Sequence, residues 1–221
     1  MDQFFDAELA IENLPLILSG LPMTIAVSLV SMVMGLVLGL FISLARNSDS
    51  IMLRYPARIY ISFMRGTPLL VFLFLLYFGL PVLGLTLSAF VAAVLGFGLN
   101  SAAYIAEVIR ASLNSVPKGQ WEAAKALGFG YRQTLIKIIL PQAARIAMPP
   151  LTNVFLDLVK ATSLAAVITV PELFQKAQIA TGRSFDSFTM YTVVALIYWP
   201  LCILISFMQE QLENRFSRYM K

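Results

Sequence analysis

Pro-Lys-Gly-Gln-Trp-Glu-Ala-Ala-Lys-Ala-Leu-Gly-Phe-Gly-Tyr-Arg-Gln-Thr-Leu-Ile-Lys-Ile-Ile-Leu-Pro, residues Pro117 to Pro141, lies between two long apolar runs. It carries four basic side chains (Lys118, Lys125, Arg132, Lys137) against one acid, Glu122. A fold that buries the apolar runs must bring this segment back to water. Pro117 suits a helix start and Gly128 a helix stop, which predicts a short helix over 118–127. Ala123 and Ala124 keep that helix slim enough to enter a groove on another protein, with Glu122 and the lysines pairing at the rim. The same residues are compatible with an amphipathic helix lying on a lipid surface.

Composition decides what surrounds this helix. Of 221 residues, 59% are apolar and 13% charged, with a mean hydropathy of +0.80. Soluble domains carry about 25% charged residues. Several apolar stretches reach the roughly 20 residues that cross a hydrocarbon core, and no alternating barrel strands are evident, so the fold class is an all-α integral membrane protein. One Cys and no His exclude a disulfide framework and a Cys/His metal site within one chain. Cys202 sits in an apolar run, as a packing residue would. The acidic N-terminus (Asp2, Asp6, Glu8, Glu12) lacks the basic region of a signal peptide.

Five spans are predicted in a single domain over 1–221, at about 14–45, 59–80, 85–110, 141–168 and 188–208. In the first, Ser31, Gly35, Gly39 and Ser43 recur every four residues, a ribbon of small side chains against which another helix can pack closely. Residues 46–58 (Arg46, Arg54, Arg58) read as a loop. The second apolar region is interrupted by Arg65-Gly66-Thr67-Pro68, where an amphipathic lead-in breaks; Thr67 is expected to cap a new helix starting at Pro68. The third is rich in Ala and Gly, which places it inside the bundle. The fourth is expected to begin near Pro141. Twelve of the sixteen Lys and Arg fall in 46–58, 110–145 and the tail ending in Arg215, Arg218 and Lys221, and none precedes Arg46. The N-terminus is therefore expected outside and the C-terminus in the cytoplasm.

The spacing Glu122-Ala123-Ala124, three residues, Gly128, nine residues, Ile138, one residue, Leu140-Pro141 resembles the EAA loop of ABC importer permeases. Arg65-Gly66-Thr67-Pro68-Leu69, Asn100-Ser101-Ala102-Ala103-Tyr104, Lys118-Gly119-Gln120-Trp121-Glu122, Leu140-Pro141-Gln142-Ala143 and Thr162-Ser163-Leu164 are similar to the polar amino acid branch of that family. Ser163 to Gln178, with Val170-Pro171-Glu172-Leu173-Phe174, is most similar to its cystine-type members. The resemblance extends over nearly the whole chain. It implies a type I importer fold in a bacterial inner membrane, with a second permease copy (a homodimer, or a paralogue) completing the pore. It also implies an extracytoplasmic amino acid-binding protein and a dimer of ATPase subunits docked on a coupling helix at about 117–128. On that helix Gln120, Glu122, Ala123, Ala124, Leu127 and Gly128 would make the contact. No Gly-x4-Gly-Lys-Ser/Thr phosphate loop occurs in this sequence. ATP and its Mg2+ would thus belong to the partner, and no cofactor, metal or catalytic group is expected here.

Polar groups inside a membrane are candidates for the substrate site, as are helix breaks. These are Gly66 and Thr67 at the break, Asn100 in span three, and Thr152, Asn153 and Asp157 in span four. Asp157 would suit a substrate ammonium group; its alternative role is an ion pair with Lys160. Arg65 and Glu107 lie nearer the boundary, where anchoring or subunit contact is expected. In family members that take basic amino acids an acid often stands where this chain has Val154, and another where it has Ala161. Their absence points to a neutral or zwitterionic substrate such as cystine. An ion-coupled carrier working without an ATPase is the alternative. It would call for an internal repeat and a chain of buried acids, whereas five spans have no even halves and such acids are few.

Overall fold

The computed structural model describes residues 5–217, with side chains as far as 211. Asp2 and the side chains of Arg215, Arg218 and Lys221 lie outside the described residues. Those described are helical, with no strand among them. Four helices are long and apolar enough to cross a membrane, or five if one sharply bent pair counts as a span.

The chain opens with α1 (Ala7–Leu18), capped by the Asp6 carboxylate, which accepts from the Leu9 N–H. After a turn at Ser19–Gly20, α2 (Leu21–Arg46) runs for 26 residues, about 39 Å at 1.5 Å per residue. The sequence predicts one span over 14–45; the structure divides it. Gly20 passes so close to the later chain that an added Cβ would lie 2.5 Å from the Glu172 carbonyl carbon. The division is thus set by a contact about 150 residues away in sequence, which local pattern does not reveal.

The small-residue ribbon of α2 packs on α5 (Ala89–Asn114), the central helix of the bundle. Ser28, Ser31, Gly35, Gly39 and Ser43 are buried. A Cβ on Gly39 would stand 2.7 Å from Ile105 Cγ2, so a larger residue there would wedge the two helices apart. On α5, the facing Ala102 and Ile105 are fully buried.

Between them comes α3 (Ile51–Gly66), a helix where the sequence predicts a loop as far as 58. At Gly66-Thr67-Pro68 the chain turns by 104° into α4 (Leu69–Phe74), whose axis continues through a π turn and a 3-10 turn to Leu83. Thr67 and Pro68 both have extended backbone, with ψ 132° and 130°. The break is therefore where the sequence predicts it, but the helix begins at Leu69 with Pro68 as its cap, and no side chain caps it.

After α6 (Lys118–Ala126) and α7 (Tyr131–Thr134), a π turn over Leu135–Ile139 leads without a break into α8 (Leu140–Ala161) and a 3-10 extension to Ile168. The helical path thus begins ten residues before Pro141. Proline has no N–H to donate and crowds the preceding turn, and the widened π turn just before Pro141 accommodates it.

Helices α9 (Leu173–Ser184) and α10 (Ser187–Ser217) complete the chain. One apolar core gathers Val27, Leu73, Phe97, Leu158 and Ile168 from α2, α4, α5 and α8. A second gathers Ile17, Leu173, Ala177 and Met190 from α1, α9 and α10. The fully buried Glu172 lies at the junction of the two cores. Its carboxylate accepts the N–H groups of Phe174 (2.9 Å) and Gln175 (2.7 Å) and the Tyr198 hydroxyl (3.0 Å). The neighbouring Leu173 N–H bonds to Thr24 Oγ1 at 3.2 Å. The Glu172 carboxylate thereby caps α9 and ties it to α10, and the Leu173 N–H ties it to α2.

Candidate functional site

Helices α4, α5 and α8 enclose a cavity of about 320 Å³. Asn100, Ser101 and Tyr104 face it from α5; Val154, Asp157 and Ala161 face it from α8; Leu69 closes it from α4. Spacings of three or four residues put each set on one helix face. The cavity meets a second one, about 510 Å³, bordered by Arg65, Glu107, Arg110 and Ser115. Tyr104 and Val154 line both.

Of the substrate-site residues predicted from the sequence, Asn100, Val154 and Asp157 lie on the cavity wall. Gly66 and Thr67 do not, although Leu69 of the same break does. The Thr152 hydroxyl donates to the Met148 carbonyl of its own helix at 3.1 Å. Asn153 is exposed on α8 away from the cavity lining. Asn100 donates its amide N–H to the Met64 carbonyl at 2.9 Å, which steadies the last turn of α3 beside the break.

Among the other wall residues, Ser101 and Tyr104 entered the sequence reading only within the stretch Asn100 to Tyr104 and not as site candidates, and Ala161 only as the position of a missing acid. The signal that could have found the first two is their registry with Asn100 on one face of α5.

Asp157 forms an ion pair with Lys160, Oδ1 to Nζ 2.8 Å, and both side chains are more than half exposed, at 76% and 57%. A charge on the lipid face of a span is costly, so such residues face water or protein. This side of α8 is therefore a wall of an aqueous path or of a contact with another subunit. At the lower end of the second cavity, Glu107 receives Arg110 Nη2 at 2.7 Å and Arg46 Nε at 3.3 Å, joining α2 to α5. Arg65 lies 5.4 Å over the Tyr104 ring, within cation–π range. Among the described residues no group of three His, Cys, Asp or Glu could hold a metal ion.

Helix α6 projects beyond the apolar bundle. Its end is a Schellman turn: the Gly128 N–H bonds to the Lys125 carbonyl and the Phe129 N–H to that of Ala124, both at 3.0 Å, with Gly128 at φ +80°. Gln120, Glu122, Ala123, Leu127 and Gly128 are exposed, Leu127 to 76%. Ala124 turns the other way and is buried against its own chain. Trp121 stacks on Tyr131 at 5.4 Å, and the Gln142 amide donates to Gln120 Oε1 at 3.2 Å. These contacts fasten α6 to the start of α7 and α8. The exposed side holds one large apolar side chain, Leu127, among small and polar ones.

Residues 35–218 match the family described as binding-protein-dependent transport system inner membrane component. The chain is 56% identical over 218 residues to the probable amino-acid ABC transporter permease protein YckA of Bacillus subtilis (strain 168), covering 99% of this chain and 96% of that one. It is 45% identical over 206 residues to the L-cystine transport system permease protein TcyB of the same organism, covering 93% and 88%. A solved structure described as an amino acid ABC transporter with histidines superposes with a TM-score of 0.92 at 35% identity, over 96% of this chain and all of that one. With its apolar helices and a match over most of its length, the chain belongs to the multi-pass inner membrane components of binding-protein-dependent transport systems.

Proposed function

We propose that this chain is the permease subunit of an ATP-driven importer of polar amino acids, with cystine or another zwitterionic amino acid as its cargo. The single observation that carries the mechanism is continuity. Asp157 and Val154 on the cavity wall belong to a helical path that starts at Tyr131, directly beyond α6. A force on α6 reaches the cavity through one rod, which Trp121 and Gln120 clamp at its base.

Twelve basic side chains gather at the α6 end and in the tail, which supports a cytoplasmic position for that end and an external N-terminus. A dimer of ATPase subunits binds the exposed face of α6, holds the ATP and Mg2+, and performs the hydrolysis; this chain contributes no catalytic group. A second copy of the permease, as a homodimer, covers the exposed Asp157–Lys160 side of α8. An extracytoplasmic binding protein delivers the amino acid. Closure of the ATPases opens the cavity outward, and hydrolysis resets it.

On the cavity wall Asp157 takes the substrate ammonium group, and Lys160, outside the lining and released from its internal pair, swings in to take the carboxylate. Ser101, Tyr104 and the free Oδ1 of Asn100 supply further hydrogen-bonding groups. Val154 and Ala161 leave the wall without an acid for a cationic side chain. The kinship with an L-cystine permease supports the choice of cargo. Uptake competition in proteoliposomes tests it: cystine and glutamine are expected to compete better than arginine or lysine, and the reverse order would overturn the assignment.

A further inference from the structure

We propose that α3 is an in-plane membrane anchor on which Arg54 and Arg58 bind the phosphate of an anionic phospholipid. The inference goes beyond transport and needs only the membrane placement of the family, not the choice of substrate.

The orientation of α3 is the first support. It turns by 104° before continuing as α4. Its Tyr60 hydroxyl donates to the Leu99 carbonyl at 2.7 Å, and its Met64 carbonyl accepts from Asn100 at 2.9 Å. Two residues a full turn apart on α3 thus meet two consecutive residues of α5. The same side of α3 packs through Ile61 and Met64 on Ala103 and Ala106, so α3 is fixed to the bundle through α5 while the bend turns it away from the direction of α4.

The second support is the division of α3 into three sectors. Ala57, Ile61 and Met64, at spacings of four and three, are buried against the bundle. Met52, Tyr55, Ile59 and Phe63 form the opposite side, 83%, 54%, 67% and 50% exposed. Arg54, Arg58 and Arg65 fall between the two. A helix in the plane of an interface has this layout, with apolar side chains toward the acyl region and cations at headgroup depth.

The third support is the absence of an acidic partner for two of these arginines. Arg46 and Arg110 share Glu107, and Arg65 rests on Tyr104. Arg54 and Arg58 form no salt bridge among the described residues, and the buried Nε of Arg54 has no hydrogen-bond partner. Arg58 lies 6.0 Å over the Tyr55 ring, which holds it beside the apolar sector. Two guanidinium groups one turn apart match the oxygens of a phosphodiester. The four flanking apolar side chains favour a phosphate carried by a lipid over a free one.

Native mass spectrometry of the full-length chain, extracted from vesicles of equimolar phosphatidylglycerol and phosphatidylcholine, tests the site. The wild type is expected to retain phosphatidylglycerol preferentially. In Arg54→Gln/Arg58→Gln that preference should fall about thirtyfold, while Arg54→Lys/Arg58→Lys keeps only the part due to charge and Lys118→Gln/Lys125→Gln keeps all of it. No preference in the wild type, or an undiminished one in the glutamine pair, would overturn the proposal.

A second measurement leaves the arginines in place. In Phe63→Trp, the fluorescence added to that of Trp121 and Trp199 should be quenched more by brominated phosphatidylglycerol than by brominated phosphatidylcholine at equal content. Equal quenching would mean that the lipid there is not chosen for its anionic headgroup, and no quenching, or a Phe63→Cys chain that cross-links to a second copy, would mean that lipid is not the occupant; either result overturns the proposal.

Discussion

At the scale of single residues, the proposed substrate site rests on Asp157. Its carboxylate lies in an internal pair with Lys160 and also on the cavity wall. Asp157→Asn keeps the shape and removes the charge, and a charge-assisted hydrogen bond is worth about 1.5–3 kcal/mol. The substitution is expected to raise the KM for cystine uptake about tenfold or more, measured in proteoliposomes, with the amount of inserted protein unchanged. An unaltered KM would remove Asp157 from the substrate site. Asp157 was legible in the sequence because an acid in a span is costly and stands out. Ser101 and Tyr104 were quoted only as part of a familiar stretch, because neither carries a charge whose burial would single it out as a site residue. Glu172 was visible only as part of a familiar stretch; the partner of its buried carboxylate, Tyr198, is 26 residues away on another helix.

At the scale of elements, local pattern sufficed where the cause is local. The ribbon of Ser31, Gly35, Gly39 and Ser43 marks a close helix contact, and the structure identifies the partner as α5. Pro68 marks the break before α4. Local pattern failed where something else compensates. Pro141 looked like a helix start, but a π turn absorbs it and carries the helix back to Tyr131. The arginines of 46–58 suggested a loop, but Arg46 ends α2, and Arg54 and Arg58, four apart, fall on one stripe of α3.

Gly128 belongs to this scale because it ends α6. At φ +80° a residue with a Cβ is strained by about 1–2 kcal/mol. Gly128→Val is therefore expected to open the Schellman turn and to lower ATP-dependent uptake about tenfold, while immunoblots show normal insertion. An enclosed Cβ does not explain such a loss, since nothing lies within 4 Å of that position. Wild-type uptake in Gly128→Val would argue against transmission through α6.

At the scale of the whole molecule, two apolar cores meet at Glu172, and one continuous path joins α6 to the cavity. The chain presents two unusual surfaces, the charged side of α8 and the protruding α6. A second permease and an ATPase account for both, whereas a carrier driven by an ion gradient accounts for neither. Reconstitution separates these possibilities. The chain is placed in proteoliposomes with its binding protein, with or without the ATPase subunits, and cystine uptake is followed on adding ATP or on imposing a proton or sodium gradient. The result expected is uptake that needs the ATPase, ATP and the binding protein together and ignores the gradients. Equal uptake driven by a gradient with the ATPase omitted would contradict the account.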